Sequence, residues 1–194
     1  MNVISPNNET PKMNLIKQGN KMNVLAFAAS NNKKSINRKL VTYTANLIGH
    51  AETEILDIHD YEMPIFSDER EQELGQPEYA KQFFKKIGDA DVILVSFAEH
   101  NGTYTAAYKN LFDWMSRINQ QVFQHKKVVY LAASPGPSCA NSVLTTSITS
   151  APFFAAELQG SLSVPNFYDN FDIESQCLSN KALDKNLREI IAGL

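Results

Sequence analysis

The chain has 194 residues, 43% of them hydrophobic and 20% charged, and a formal net charge of −3 at pH 7. These values are ordinary for a globular domain with a full core, and they disfavour a general nucleic-acid binder. No apolar run approaches the roughly 20 residues of a membrane span. The two cysteines and four histidines lack metal-ligand spacing. We therefore expect a cytoplasmic protein without a metal or a disulfide framework.

The first 21 residues differ from the rest of the chain. They are rich in Asn, Lys and Pro, show no sustained apolar period, and lack the continuous apolar segment of a signal peptide. We therefore expect residues 1–21 to form a mobile extension and residues 22–194 to form one folded domain.

From Met22 onward, short apolar runs alternate with segments of helical periodicity. The apolar runs predict strands at 22–30, 52–58, 91–97, 126–134 and 160–167. The periodic segments predict helices at 35–50, 77–90, 105–120, 141–159 and 174–194. Residues 59–76 are charged and irregular, which predicts a loop with at most a short turn of helix.

This alternation predicts a parallel sheet that is covered by helices on both faces. Five such units match a flavodoxin-like α/β fold, a three-layer sandwich with a five-stranded parallel sheet of order 2-1-3-4-5; the strand order comes from analogy with that fold. A six-stranded Rossmann domain would need one more unit. In open α/β sheets, ligands bind beyond the carboxyl ends of the strands where the order reverses, which directs attention to the loops after Ala29, Phe97 and Ala133.

The first of these loops, "ASNNKKSIN", places polar residues directly before a helix N-terminus. Such an end presents unpaired N–H groups and a partial positive charge, and therefore suits an anion. The sequence has neither the glycines of a P-loop nor a Gly-x-Gly-x-x-Gly fingerprint. A capped helix after a polar turn explains the loop equally well. Its polar residues are two serines, three asparagines and two lysines.

The second and third loops are also polar. "AEHNGTYTAAYKNLFDWMSR" supplies Glu99, His100, Asn101, Gly102 and Thr103. "SPGPSCANS" supplies Ser138, Asn141 and Ser142, which can cap a helix or bind a ligand. Either loop by itself can be a turn with an N-cap. Together with the first loop they converge on one crevice, where the first suits a phosphate and the other two can line a flat ring.

These residues resemble the NADPH-dependent FMN reductase family, which includes quinone and azo-dye reductases. The family's first loop, Gly-Ser-x-Arg-x-x-Ser-x-Asn, is matched at Ser30, Ser35 and Asn37, while Asn32 stands where the family has arginine. Its second loop reads Pro-Glu-Tyr-Asn-Gly-Ser and continues to Leu-Lys-Asn-x-x-Asp-Trp. The matching positions here are Glu99, Asn101, Gly102, Lys109, Asn110, Asp113 and Trp114.

The resemblance implies bound FMN, a homodimer, and hydride transfer from NADPH or NADH to a small acceptor such as a quinone, an azo compound or a free flavin. It places Ser30, Ser35 and Asn37 at the phosphate, with Asn32 beside them and Lys33 or Lys34 replacing the arginine charge. Glu99, His100, Asn101, Gly102, Ser134 and Gly136 would line the flavin ring. Hydride transfer itself requires no acid or base, so no catalytic residue is assigned; His100 is the one candidate proton donor.

Two other interpretations remain open. A flavodoxin-like electron carrier would have the same fold, although its Ser/Thr-x-Thr-Gly-x-Thr loop is absent here. A flavin-free scaffold or regulatory module is the other, because the loop arginine is missing. For the dimer, we expect an interface on the helix after the second loop, where Tyr108, Phe112 and Met115 recur at helical spacing.

Overall fold

Five parallel strands form the central sheet of the computed structural model, which describes residues 21–194. Their order is β2-β1-β3-β6-β7, which confirms the predicted order 2-1-3-4-5. Two short hairpins, β4-β5 and β8-β9, stand outside the sheet. The strand bounds are β1 Met22–Ala29, β2 Ala51–Leu56, β3 Val92–Phe97, β4 Glu99–His100, β5 Thr103–Tyr104, β6 Lys126–Ala133, β7 Ala156–Val164, β8 Phe171–Asp172 and β9 Cys177–Leu178. The predicted extension lies, apart from Lys21, outside the described residues.

Between residues 21 and 194, seven α-helices accompany the strands. They are α1 Ile36–Asn46, α2 Asp68–Leu74, α3 Glu78–Asp89, α4 Ala106–Ile118, α5 Asn141–Ser150, α6 Phe167–Asn170 and α7 Lys181–Ala192. The irregular segment 59–76 holds α2 and the end of a short 3₁₀ turn at Ile58–Tyr61. Among residues 21–194, no helix combines the length and the apolar character that a membrane crossing requires.

The sheet is the middle of three layers. Every residue of β3 is buried, as expected for a strand whose two faces are both covered. One face packs against apolar residues of α3, α4 and α5, among them Phe83, Leu111 and Val143. The other face packs against α1 and α7 through Leu40 and Leu187. Helices on both faces leave only the ends of the strands open to a ligand.

The predicted helix at 141–159 is wrong in its second half. Helix α5 ends at Ser150, a 3₁₀ turn containing Pro152 follows, and Ala155 adopts a left-handed conformation before β7 begins at Ala156. Proline lacks the N–H that a continuing helix needs, and a left-handed residue reverses the chain. The fifth strand of the sheet therefore starts four residues earlier than the predicted strand at 160–167.

The closing helix is also shorter than predicted. Residues 171–178 form the β8-β9 hairpin, and α7 begins only at Lys181. The side chain of Asn180 accepts hydrogen bonds from the N–H groups of Ala182 and Leu183, which fixes this start.

Candidate functional site

A cleft opens at the carboxyl ends of β1, β3 and β6. It measures about 1030 Å³ including the solvent at its mouth. Eight of the ten predicted site residues line it: Ser30, Asn32, Ser35, Asn37, Glu99, His100, Ser134 and Gly136. Lys34 and Ser138, which the sequence also named as possible ligands, line it too. The other lining residues were not predicted as ligands: Ile36, Ala98, Ala133, Pro135 and Tyr168.

Asn32 shapes the first loop. Its side-chain oxygen accepts a hydrogen bond from the N–H of Lys34 at 2.9 Å, and its carbonyl accepts one from the N–H of Ser35, also at 2.9 Å. The hydroxyl of Ser30 accepts from the N–H of Asn32 at 3.2 Å. This local turn delivers the chain into α1. The residue at the position of the family's arginine therefore holds the loop's shape.

The start of α1 presents donors without partners. The side chain of Ser35 is nearly buried, with 6% exposure, yet its hydroxyl hydrogen-bonds to no other described residue. The N–H groups of Ile36 and Asn37 likewise have no acceptor within residues 21–194. A helix N-terminus with unpaired N–H groups favours negative charge. These donors face the cleft and fit the oxygens of a phosphate.

The two lysines of the loop differ in position. Lys34 lines the cleft, whereas Lys33 lines only the neighbouring groove beside Arg38 and Lys39. Arg38 is paired with Asp57, outside the cleft. Lys34 is therefore the cation of the loop that is placed to face an anion in the cleft.

The amide of Asn37 is used inside the protein. The residue is 2% exposed. Its oxygen accepts hydrogen bonds from the Ser96 hydroxyl at 2.7 Å and from the N–H of Ala133 at 2.9 Å, and its nitrogen donates to the carbonyl of Ala133 at 3.3 Å. The side chain thus links α1 to β3 and β6. The geometry therefore disfavours a direct hydrogen bond from this side chain to a phosphate. Its backbone N–H remains available.

Glu99 is likewise committed to the scaffold. Its carboxylate accepts the N–H of Val143, in the first turn of α5, at 2.9 Å. The helix needs this partner because Cys139 and Ala140 before it are both left-handed, with φ of 63° and 50°, and Ala140 has no side chain that can cap. A carboxylate at a helix N-terminus is also favoured by the helix dipole.

A tight hairpin, missed in the sequence, carries the remaining residues of the second loop. Asn101 and Gly102 have φ of 53° and 80° and join β4 to β5 as a two-residue turn. Asn-Gly is the strongest short signal for such a turn, and it was present in "EHNGTY". The turn places His100 in the cleft, whereas Asn101 and Gly102 lie at its tip and are not among the cleft-lining residues.

The third loop is held by internal hydrogen bonds. The Ser134 hydroxyl donates to the carbonyl of Gly136 at 2.6 Å, and the same carbonyl accepts the N–H of Asn166 at 3.0 Å. Tyr168 follows from the segment after β7 and lines the cleft with an exposed ring. Tyr168 is absent from the predicted site because the predicted fifth strand ends at 167, and the segment beyond it is not one of the three loops at the switch point.

Comparison with known proteins agrees with this geometry. A model of the NADPH-dependent FMN reductase family matches residues 22–169. A quinone reductase of Escherichia coli strain K12 is 27% identical over 117 residues, which cover 60% of this chain and 62% of that protein. An uncharacterised protein of Mycoplasma pneumoniae is 25% identical over 155 residues, 77% of this chain and 91% of its own length.

A solved structure shares the fold. FerB, a flavoenzyme NAD(P)H:(acceptor) oxidoreductase from Paracoccus denitrificans, superimposes with a TM-score of 0.69 at 22% identity. The alignment covers 89% of this chain and 94% of FerB.

Replacing Asn37 with alanine should destabilise the whole domain. The substitution leaves the Ser96 hydroxyl and the backbone of Ala133 buried without partners, at a cost of about 1–3 kcal/mol for each unpaired group. Urea denaturation of Asn37→Ala should show this loss in the free energy of unfolding. Asn46→Ala, at the exposed end of the same helix, is the matched control and should change little. An Asn37→Ala protein as stable as the parent would contradict the structural role.

Proposed function

Because the chain belongs to the NADPH-dependent FMN reductase family, we propose that it is an FMN-dependent NAD(P)H oxidoreductase that passes a hydride through the flavin to a small acceptor such as a quinone, an azo compound or a free flavin. The observation that carries the proposal is the group of unpaired donors at the start of α1, in a cleft at the switch point of the sheet. That is where doubly wound folds bind nucleotides.

We assign the phosphate of FMN to the first loop. The Ser35 hydroxyl and the N–H groups of Ile36 and Asn37 are the donors available to it, and Lys34 supplies a positive charge. The Ser30 hydroxyl accepts one hydrogen bond and keeps its own proton free to donate. Hydrogen bonds from neutral groups to an anion are stronger than those between neutral groups, so this set can replace much of what an arginine fork provides.

We assign the flavin ring to the other side of the cleft. Bound FMN supplies the hydride chemistry, while the protein supplies position and electrostatics. Ala98 and Pro135 offer apolar contact, and the N–H of Gly136, which has no partner in the described chain, can donate to a ring acceptor. Tyr168 and His100 border the opening toward solvent. His100 is our candidate for supplying a proton to the reduced acceptor.

Flavin content and turnover test the proposal together. The purified protein, supplied with FMN and desalted, should retain about one flavin per chain, the stoichiometry expected for the single cleft of this fold. It should then oxidise NADPH or NADH continuously when a quinone is added, and only slowly without it. Absorption spectra and steady-state assays measure the two properties. A protein that retains no flavin would favour the scaffold interpretation, and a flavoprotein without turnover would favour an electron carrier.

The phosphate assignment makes a second, residue-specific prediction. Lys34→Ala should weaken FMN binding about two- to fivefold, the effect of one partly exposed ion contact. The loss should shrink at high salt because mobile ions screen exposed charges. Riboflavin, which lacks the phosphate, should bind both proteins alike. Flavin-fluorescence titrations provide the affinities.

Lys33→Ala is the matched control, since Lys33 lies one residue away but outside the cleft. It should leave the FMN affinity almost unchanged. An equal effect of the two substitutions, or an effect of Lys34→Ala on riboflavin, would refute the assignment of Lys34 to the phosphate.

We also propose a homodimer, on different residues from those that the sequence suggested. Tyr108 and Met115 are buried in the core and supply no interface area, and only Phe112 of that set is partly exposed. Phe153, in the 3₁₀ turn after α5, is instead 72% exposed. An exposed aromatic residue of this kind is typical of an interface core.

Light scattering should therefore give twice the mass of one chain, and Phe153→Ser should shift the equilibrium toward monomer. Tyr79→Ser is the control, because Tyr79 is a half-exposed aromatic residue on α3. A parent protein that is monomeric at micromolar concentration would disprove the dimer.

The free thiols of Cys139 and Cys177 support a cytoplasmic location, which subcellular fractionation checks directly.

A further inference from the structure

A second cavity lies between α4 and α5, above β3 and β6, and shares no lining residue with the flavin cleft. It measures about 630 Å³ including the solvent at its mouth. Its floor is aromatic. The ring of Phe97 lies 5.6, 5.5 and 5.2 Å from the rings of Tyr104, Tyr108 and Tyr130, measured between centroids.

The cavity exists because the two helices present side chains of different size. Helix α4 contributes Tyr108 and Phe112, whereas α5 contributes Thr146, Ser147 and Ser150. The three hydroxyls on α5 donate to carbonyls of their own helix, so they are satisfied without a ligand. Small side chains opposite large ones leave the gap between the helices unfilled.

The tyrosine hydroxyls in the floor lack such partners. Tyr108 is 3% exposed and Tyr130 is 1% exposed, and neither hydroxyl hydrogen-bonds to another described residue. No fully enclosed side-chain N or O atom of the described residues lacks a partner, so both hydroxyls remain accessible to solvent. Both side chains line the cavity. Buried tyrosine hydroxyls in native proteins find a partner in almost every case. Here the cavity is the place from which that partner must come.

The electrostatics of the floor restrict the partner. Burial raises the pKa of Tyr108 and of Tyr130, so both remain neutral O–H donors at physiological pH. At the rim, Lys109 is paired with Asp113 at 2.6 Å, and that pair leaves no net charge. An anion would be poorly solvated in such surroundings. A neutral acceptor atom fits them.

We propose that this cavity binds a neutral, flat aromatic molecule that carries a carbonyl oxygen, with Tyr108 and Tyr130 donating hydrogen bonds to that oxygen. The rings of Phe97, Phe112 and Phe154 supply apolar contact to the ligand. The site stands on its own observations and does not depend on the flavin chemistry proposed above. An apolar side chain from a second copy of the chain would leave the two hydroxyls unpaired, which disfavours that occupant.

Fluorenone, a flat neutral ketone without reactive groups, is a suitable probe, and fluorene has the same shape without the carbonyl. Calorimetric titrations should show that fluorenone binds flavin-free and FMN-saturated protein with equal affinity. Tyr108→Phe and Tyr130→Phe should each weaken fluorenone about tenfold, the value of one buried hydrogen bond, and leave fluorene binding unchanged. These substitutions break no hydrogen bond within the protein, so the variants should fold normally.

Two further variants complete the test. Tyr79→Phe, far from the cavity, should bind fluorenone like the parent. Ser150→Phe, which fills the cavity, should abolish the binding of both probes. The proposal would be overturned if fluorenone did not bind, which would mean that the cavity holds only water, or if fluorenone competed with FMN. It would also be overturned if the Tyr→Phe variants bound fluorenone as tightly as the parent protein. Tighter binding of choline than of fluorenone would instead assign the aromatic cage to a cation.

Discussion

The buried amide of Asn37 fixes the relation between α1 and the carboxyl ends of two central strands. It bonds to the side chain of Ser96 in β3 and to both backbone groups of Ala133 at the end of β6. The helix N-terminus is thereby fixed at the switch point of the sheet, with its free N–H groups turned to the cleft. Thr105 holds the second loop in a similar way. Its hydroxyl donates a hydrogen bond to the carbonyl of Ala29 at 3.0 Å and accepts one from the N–H of Tyr108.

Several polar side chains of the cleft form hydrogen bonds within the protein instead of facing a ligand. Asn32, Glu99 and Ser134 each use their side chains to hold a loop or a helix end. In the first loop, the groups left for a ligand are backbone N–H groups, the hydroxyls of Ser30 and Ser35, and Lys34. Donors fixed in this way need no rearrangement when a ligand binds, which is the usual source of affinity in a preorganised site. The left-handed residues Cys139 and Ala140 contribute to this preorganisation, because they turn the chain so that Glu99 reaches the start of α5.

The motif "YKNLFDW" in α4 holds a different part of the molecule. The side chain of Asn110 accepts the N–H of Phe66 at 2.8 Å and donates to the carbonyl of Met63, while the indole N–H of Trp114 donates to the carbonyl of Pro64 at 2.8 Å. Lys109 and Asp113 pair on the outer face of the same helix. The motif thus anchors the long segment that precedes α2, and its most specific residues do not touch the cleft.

The sequence by itself determined the layered α/β architecture, the strand order by analogy, and the three loops that form the cleft. It could do so because apolar runs buried on both faces and helices with one apolar stripe are local patterns with distinct periods. It also predicted a loop suited to an anion, since a polar loop before a helix implies free N–H groups. It did not locate the end of α5, because a run of Ser, Thr and Ile without charges is compatible with a helix until Pro152 interrupts it.

Only the tertiary structure decided which polar residues are free at the cleft and which are bonded within the protein. Asn37 and Glu99 stand in loops that the sequence assigned to the cofactor, yet each finds a partner on an element distant in the chain, at Ala133 and Val143. Conversely, Tyr108 and Tyr130 follow patterns typical of core residues, and both line a cavity together with the small residues Thr146, Ser147 and Ser150 of α5. A side chain's partners depend on contacts between segments far apart in sequence, and no local pattern encodes those contacts.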